Sequence, residues 1–254
     1  MSFVVVIPAR HASTRLPGKP LLDIAGLPMI QHVWQRAMAS SAEQVIIATD
    51  DQRIADVARG FGAEVAMTRA DHPSGTDRLQ EVAAQQGWPD QTAVVNVQGD
   101  EPLIPPAAID QVAAVLLKHS RATVATLCEA IVDEQQFRDP NAVKVVCNEE
   151  GEALYFSRAP IAFPREGQAQ DIAGKAVWGH RHIGIYAYRA GFLHRYVSWP
   201  PCLLEQTEKL EQLRALYKGA VIQVEEACVS IPAGVDTQHD LDVVRAIVRQ
   251  HQGA

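Results

Sequence analysis

Three fixed cations and two small hydroxyl side chains crowd into one stretch near the start of the chain, Pro8-Ala9-Arg10-His11-Ala12-Ser13-Thr14-Arg15-Leu16-Pro17-Gly18-Lys19-Pro20. Arginine offers phosphate oxygens a planar fork, lysine offers a compact point charge, and small residues let backbone N–H groups approach an anion. Polyphosphate binding is the chemistry such a stretch supplies; a solvated basic loop is the alternative. Two familiar phosphate loops are excluded. A P-loop needs Gly-x-x-x-x-Gly-Lys-Ser/Thr, whereas Ser13 holds the first glycine position and Pro20 follows Lys19. No Gly-x-Gly-x-x-Gly follows the first apolar run, which disfavours a dinucleotide oxidoreductase.

Carboxylates form the second group. Asp100 follows an apolar run and Gly99, and Asp236 lies in Gly234-Val235-Asp236-Thr237 ahead of an amphipathic stretch. Both suit a hard ion such as Mg²⁺, which takes one or two protein carboxylates and fills its shell with substrate and water oxygens. Asp236 reads equally as a helix N-cap. Glu101, beside Asp100 and before Pro102, reads as a supporting residue rather than a ligand. Ser74 in Ser74-Gly75-Thr76-Asp77 either caps a helix or presents its hydroxyl to a ligand. Arg158 closes Leu154-Tyr155-Phe156-Ser157 and precedes Ala159-Pro160, so its guanidinium is aimed at a pocket or tied in a surface ion pair. His180-Arg181-His182 puts two imidazoles on one strand face, but no cysteine or carboxylate cluster completes a zinc site.

These groups need a scaffold. Apolar, β-rich runs at Phe3 to Ile7, Val45 to Thr49, Glu64 to Met67 and Ala93 to Gln98 alternate with helical spacing at Ile30, Val33, Trp34, Ala37, Met38 and at Ile54, Val57, Ala58, Phe61. This is a βαβ pattern, and continuous apolar strands suit a parallel sheet covered on both faces, with ligands beyond its carboxyl edge. Further strands are expected at Ala122 to Leu127, Val143 to Cys147, Ala153 to Arg158, Ile183 to Tyr188 and Val221 to Glu225. One long helix is expected from about Leu203 to Lys218 before Gly219, and another after Asp236. Pro160 to Trp178 reads as an exposed insertion loop. Trp199-Pro200-Pro201 and the helix after it serve either the core or a subunit contact.

The 254 residues carry 47% hydrophobic side chains, enough for one substantial core and against disorder. A formal charge of −7 gives no global attraction to nucleic acid or to an anionic membrane, so any anion site must be concentrated. Cys128, Cys147, Cys202 and Cys228 lack zinc or scaffold spacing and read as reduced, mostly packing residues. No leader and no membrane-length apolar run is visible, so a cytoplasmic location is expected.

Ile7-Pro8-Ala9-Arg10 with Ser13-Thr14-Arg15-Leu16-Pro17-Gly18-Lys19-Pro20-Leu21 resembles the signature of CMP-Kdo synthetases within the sugar nucleotidyltransferases. The resemblance continues through Ser74-Gly75-Thr76-Asp77-Arg78, Asn96-Val97-Gln98-Gly99-Asp100-Glu101-Pro102, Ser157-Arg158-Ala159, His182-Ile183-Gly184-Ile185-Tyr186, Leu210-Glu211-Gln212-Leu213-Arg214 and Gly234-Val235-Asp236-Thr237. It implies a three-layer, Rossmann-like α/β fold of the nucleotide-diphospho-sugar transferase type, with a mainly parallel sheet and an inserted dimerisation and sugar-binding subregion. Residues 1–254 would form one domain: 1–120 mainly for CTP, 121–230 for sugar and dimer contacts, and 231–254 for the metal aspartate and last helix. The implied reaction transfers CMP from CTP to 3-deoxy-manno-octulosonate (Kdo), releasing pyrophosphate. Arg10, Ser13, Arg15, Lys19 and Ser74 would hold the nucleotide, Arg10, Arg15 and Lys19 doubling as leaving-group clamp, and Asp100 and Asp236 would hold Mg²⁺. Gln98, Arg158, His182, Tyr186 and Glu211 would face the sugar. From the residues alone, Gln98 could simply close a strand, Glu211 could pair with Arg214 or Lys209, and Tyr186 could pack. His11 stands where this family commonly has tyrosine, and Ala162-Phe163 where it has Pro-Trp; amino-Kdo and sialic acid are the alternative acceptors, and a silent nucleotide sensor is the non-enzyme alternative. A homodimer is implied, with no nucleic-acid or membrane partner.

Overall fold

Alternation along the first strand divides the molecule into layers. In β1 (Val4–Ala9), Val5 and Ile7 face one way and Val4 and Val6 the other, all buried. The computed structural model describes residues 2–11, 16–170, 174 and 176–252. After β1 come a 3-10 turn (Lys19–Leu21), the ribbon β2 (Asp23–Ile24) and β3 (Leu27–Pro28), α1 (Met29–Met38), β4 (Gln44–Thr49), α2 (Gln52–Gly60), β5 (Glu64–Met67), α3 (Gly75–Gln86), β6 (Ala93–Asn96) and α4 (Pro106–Lys118). The second half holds β7 (Val124–Ile131), α5 (Glu134–Arg138), β8 (Lys144–Cys147), β9 (Ala153–Ser157), β10 (Ala169–Gln170), β11 (Ala176–Val177), β12 (Gly179–Arg189), α6 (Ala190–Tyr196), α7 (Leu203–Glu208), α8 (Gln212–Tyr217), β13 (Ile222–Glu226) and α9 (Gln238–Gln252).

The main sheet runs β13-β7-β12-β6-β1-β4-β5. Its pairs β1–β4, β1–β6, β4–β5 and β7–β13 are parallel, as the βαβ pattern requires, while β12 lies antiparallel to both β6 and β7. The antiparallel β8 and β9 extend the sheet from the amino end of β12. Helices α1, α2 and α4 bury Ile30, Val33, Ile54, Ile109 and Val112 on one face; α3, α6 and α8 bury Leu79, Val82, Phe192, Leu193 and Leu213 on the other. The result is the expected three-layer α/β fold. Helix α9 closes a smaller cluster of Ile24, Met29, Leu241 and Val244, bringing the end of the chain beside the opening loop.

Two expectations fail. The segment from Leu203 to Lys218 is two short helices, because Lys209 adopts the left-handed conformation (φ 55°) between them. Pro160 to Trp178 is exposed for most of its described length, as expected, but carries the two-stranded ribbon β10–β11. All four cysteines are free; Cys128 and Cys202 are buried, Cys147 and Cys228 exposed.

Candidate active site

The carboxyl ends of β1 and β6 lie side by side, so Arg10 and the Gln98-Gly99-Asp100 turn meet at one edge of the sheet. That approach demands glycine at 99, where a Cβ would fall 2.7 Å from the Pro8 carbonyl oxygen. The segment leading into α9 supplies the partner: Val235 N–H donates to the Asp100 carbonyl at 2.8 Å. Lys19 joins the pieces. Its Nζ donates to Asp100 Oδ2 at 2.7 Å, to the Val235 carbonyl at 2.7 Å and to Asp236 Oδ1 at 3.2 Å. Lys19 reaches this position because Gly18, left-handed at φ 69°, turns the chain into the 3-10 turn, its N–H donating to His11 O.

Two carboxylates separated by 136 positions in sequence thus converge on one cation. Among the described residues no cluster of three or more His, Cys, Asp or Glu side chains could hold a metal. The pair fits a hard divalent ion that completes its shell from phosphate and water. The N-cap alternative for Asp236 falls away, because Thr237 Oγ1 accepts from Asp240 N–H at 3.2 Å and Asp240 Oδ2 accepts from Thr237 N–H at 2.8 Å, a reciprocal cap one residue later.

Around this point lies a cavity of about 470 Å³ walled by Arg10, Lys19, His72, Ser74, Arg78, Gln98, Asp100 and Asp236. Ser74 Oγ accepts from Asp77 N–H at 3.3 Å and donates to Asp77 Oδ2 at 2.6 Å, so it caps α3 while facing the cavity. Arg78 is buried, held by Asp50 at 3.1 Å and by the Thr68 hydroxyl; burial, opposed by Asp50, holds its pKa below the usual value. Ser13 and Arg15 lie outside the described residues.

A second cavity of about 420 Å³ opens beside the first and shares Arg10, Ser74, Gly75 and Gln98 with it. Tyr186, Tyr188, Phe192 and Tyr196 line it, and Thr76, Asn96, Glu101, Lys209, Glu211 and Gln212 are among its polar groups. Tyr186 and Tyr188 stack at 5.6 Å, and burial pushes both phenols up, leaving neutral hydroxyls able to donate and accept. Glu211 Oε2 accepts from Thr76 Oγ1 at 3.1 Å, and burial raises its pKa. Its expected alternative partner Arg214 pairs with Glu205 instead. Asn96 Oδ1 is buried with no hydrogen-bond partner among the described residues. Glu101, between the cavities and a small apolar void, has its carboxyl pushed up to about 8 by burial and then by the charge of Asp100.

Two expected sugar residues do not reach either wall. His182 lies behind Tyr186 (ring centroids 5.3 Å) and edge-on to Phe156, its Nε2 3.0 Å from Thr126 Oγ1. The Thr126 hydroxyl also lies 3.0 Å from the Ile183 carbonyl and 2.8 Å from the Ile185 carbonyl, and burial holds His182 neutral with a pKa near 3. Arg158 turns away: its Nε donates to the Glu208 carbonyl at 2.7 Å and its Nη1 to the Pro140 carbonyl at 3.0 Å. In exchange, the walls contain residues to which the sequence reading gave no role. Tyr188 had a signal, sharing a strand face with Tyr186 two residues away. Asn96 faces Tyr186 only through β6–β12 register, and Tyr196 reaches the cavity only through the packing of α6.

Residues 4–226 match the cytidylyltransferase family. The chain is 59% identical to a Pseudomonas fluorescens protein named 3-deoxy-manno-octulosonate cytidylyltransferase, over 97% of this chain and 98% of that protein. A Cellvibrio japonicus protein of the same name is 56% identical over 99% of this chain and all of its own length. The fold superposes on a CMP:2-keto-3-deoxy-manno-octonic acid synthetase complexed with CTP, with a TM-score of 0.89 and 43% identity over 99% of this chain and 100% of that one. A Leptospira borgpetersenii cytidylyltransferase shares the fold at a TM-score of 0.62 and 16% identity, over 98% of this chain and 87% of that one.

Proposed function

The chain belongs to the cytidylyltransferase family, and on that premise we propose that it transfers CMP from CTP to Kdo, giving CMP-Kdo and pyrophosphate. The observation that carries this reading is the junction of two cavities: a cationic one holding a convergent carboxylate pair, opening beside an aromatic one with hydroxyl-reading side chains. The hydroxyl on C2 of Kdo attacks the α-phosphorus of CTP, the bond to the bridging oxygen breaks, pyrophosphate leaves, and the hydroxyl proton passes to solvent.

Arg10 and Lys19 bind the triphosphate and neutralise the leaving pyrophosphate, with Ser13 and Arg15 assigned to the same grip from the resemblance. Ser74 places the amino end of α3 and its N–H groups on the nucleotide side. Gln98, Tyr186 and Glu211 read sugar hydroxyls; His182 supports Tyr186 from behind, and Arg158 has to leave its two carbonyl partners to meet the acceptor carboxylate. A divalent metal is required, and we assign it as Mg²⁺ on Asp100 and Asp236, where it would supply Lewis acidity toward the attacking hydroxyl and the phosphoryl oxygens. Residues 1–120 are assigned mainly to CTP, 121–230 to the acceptor and a homodimer contact, and 231–254 to the metal aspartate and last helix. Exposed Leu154 of β9, Leu203 of α7 and Tyr217 of α8, carried by elements that pack on one another, support the dimer. Among the described residues no helix is long and apolar enough to cross a membrane; we place the enzyme in the cytoplasm, where CTP is made.

Pyrophosphate release from CTP, Mg²⁺ and Kdo tests the reading. Asp100→Asn should lower kcat/KM by about a thousandfold, roughly 4 kcal/mol of transition-state stabilisation. A panel with UTP, amino-Kdo and sialic acid fixes the specificity. Absence of pyrophosphate with every acidic sugar, or an Asp100→Asn variant as fast as the parent, would overturn it.

A further inference from the structure

The helix break at Lys209 brings Lys209, Leu210, Glu211 and Gln212 to the wall of the acceptor cavity. Helices of six residues have little stability of their own, so something else must hold α7 and α8 at this bend. Glu205 in α7 and Arg214 in α8, each 8% exposed, form a two-pronged ion pair across it: Arg214 Nε donates to Glu205 Oε2 at 2.7 Å and Nη2 donates to Oε1. The remaining Nη1 donates to the Trp199 carbonyl at 3.3 Å, and the guanidinium lies 4.5 Å over the Tyr196 ring. Both Tyr196 and Arg214 then end on Glu211, whose carbonyl accepts from the Tyr196 hydroxyl and from Arg214 N–H, each at 3.1 Å. The Glu211 side chain in turn meets Thr76 in the cavity.

Stability alone is a poor reason for such an arrangement, since well-packed apolar residues replace buried ion pairs at little or no cost. We propose that the Glu205–Arg214 pair, with Tyr196, is a positioning device for acceptor recognition: it fixes the bend that presents Glu211 and so sets affinity for the acidic sugar. Glu205 and Arg214 do not line the cavity and act only through Glu211. The proposal rests on the reading that the aromatic cavity takes the sugar. A planar, two-pronged fork is what the geometry uses, so lysine at 214 keeps the charge but loses the bend.

Steady-state kinetics with each substrate varied at saturating partner test this. Arg214→Lys should raise KM for the acceptor tenfold or more and leave KM for CTP within about twofold, and the same change made in a Glu211→Gln background should have no further effect on acceptor KM. A lowered Tm with unchanged acceptor KM would reduce the pair to a structural one, and fully additive effects with Glu211→Gln would also overturn the proposal. Should Arg214→Lys fail to fold, Tyr196→Phe keeps the ring and the ion pair and removes only the hydroxyl; it should raise acceptor KM about threefold, and no change refutes the device. Turnover of the parent enzyme with Kdo tests the functional reading separately. If another acidic sugar is the better acceptor, the comparison is made with that sugar.

Discussion

Replacing Glu101 by glutamine tests whether a carboxyl beside the Asp100–Asp236 carboxylate pair is neutral at working pH. Glu101 shares the wall of a small void with Val97, Ile104, Ile183, Ile185 and Ile231, and a Cβ placed on Gly234 would fall 3.0 Å from its Oε1. Burial, followed by the charge of Asp100, lifts its pKa from 4.5 to about 8. The folded state therefore holds this proton more tightly than the unfolded chain does. The stability from that proton is complete below pH 4.5, is lost as pH rises from 4.5 to about 8, and changes no further above that. At 1.36 kcal/mol per pKa unit, the loss is about 3 kcal/mol by pH 7 and about 5 kcal/mol above pH 8. Glutamine keeps the shape and has no proton to lose. In EDTA, urea unfolding from pH 4.5 to 9 should thus show Glu101→Gln gaining on the parent by about 3 kcal/mol by pH 7 and levelling off above pH 8. A difference that stays flat across this range would refute the argument, because it would mean that Glu101 ionises alike in both states.

Two other expectations follow from the same geometry. Gly99→Ala would drive a methyl to 2.7 Å from the Pro8 carbonyl, forcing β1 and β6 apart at the site; it should lower the thermal midpoint by several degrees and reduce CTP binding, both measurable on one purified sample. His182 should keep constant ring chemical shifts between pH 8 and 5, since burial lowers its pKa to about 3 and stability is lost only as pH falls from 6.5 toward that value; a titration midpoint near 6.5 would contradict its placement.

Features whose cause is local were legible in the sequence. Strands β1, β4, β5 and β6 emerge within three residues of expectation because an apolar run between turn residues leaves few other conformations open, whereas the two-residue β2 and β3 carry no such run. The cationic stretch after β1 and the Asp100 turn after β6 follow from where those strands end. Ser74 was legible as a cap for the same reason, since capping is settled within four residues.

The rest depended on contacts between distant segments. Nothing near Lys209, which is neither glycine nor asparagine, marks a break. The break instead coincides with contacts that join α7 to α8 and α6, the Glu205–Arg214 pair and the Arg214–Tyr196 stack, which no local preference encodes. Arg158 and His182 turn from the cavity because the Glu208 carbonyl and Thr126 satisfy them first, partners 50 and 56 positions away. The sequence by itself determined which residue types could hold a triphosphate and a metal. Only the tertiary structure decided that Asp100 and Asp236 meet at Lys19 and that an aromatic cavity opens beside them, because α9 docking on the opening loop and the register of β12 on β6 are set by burial across the whole chain.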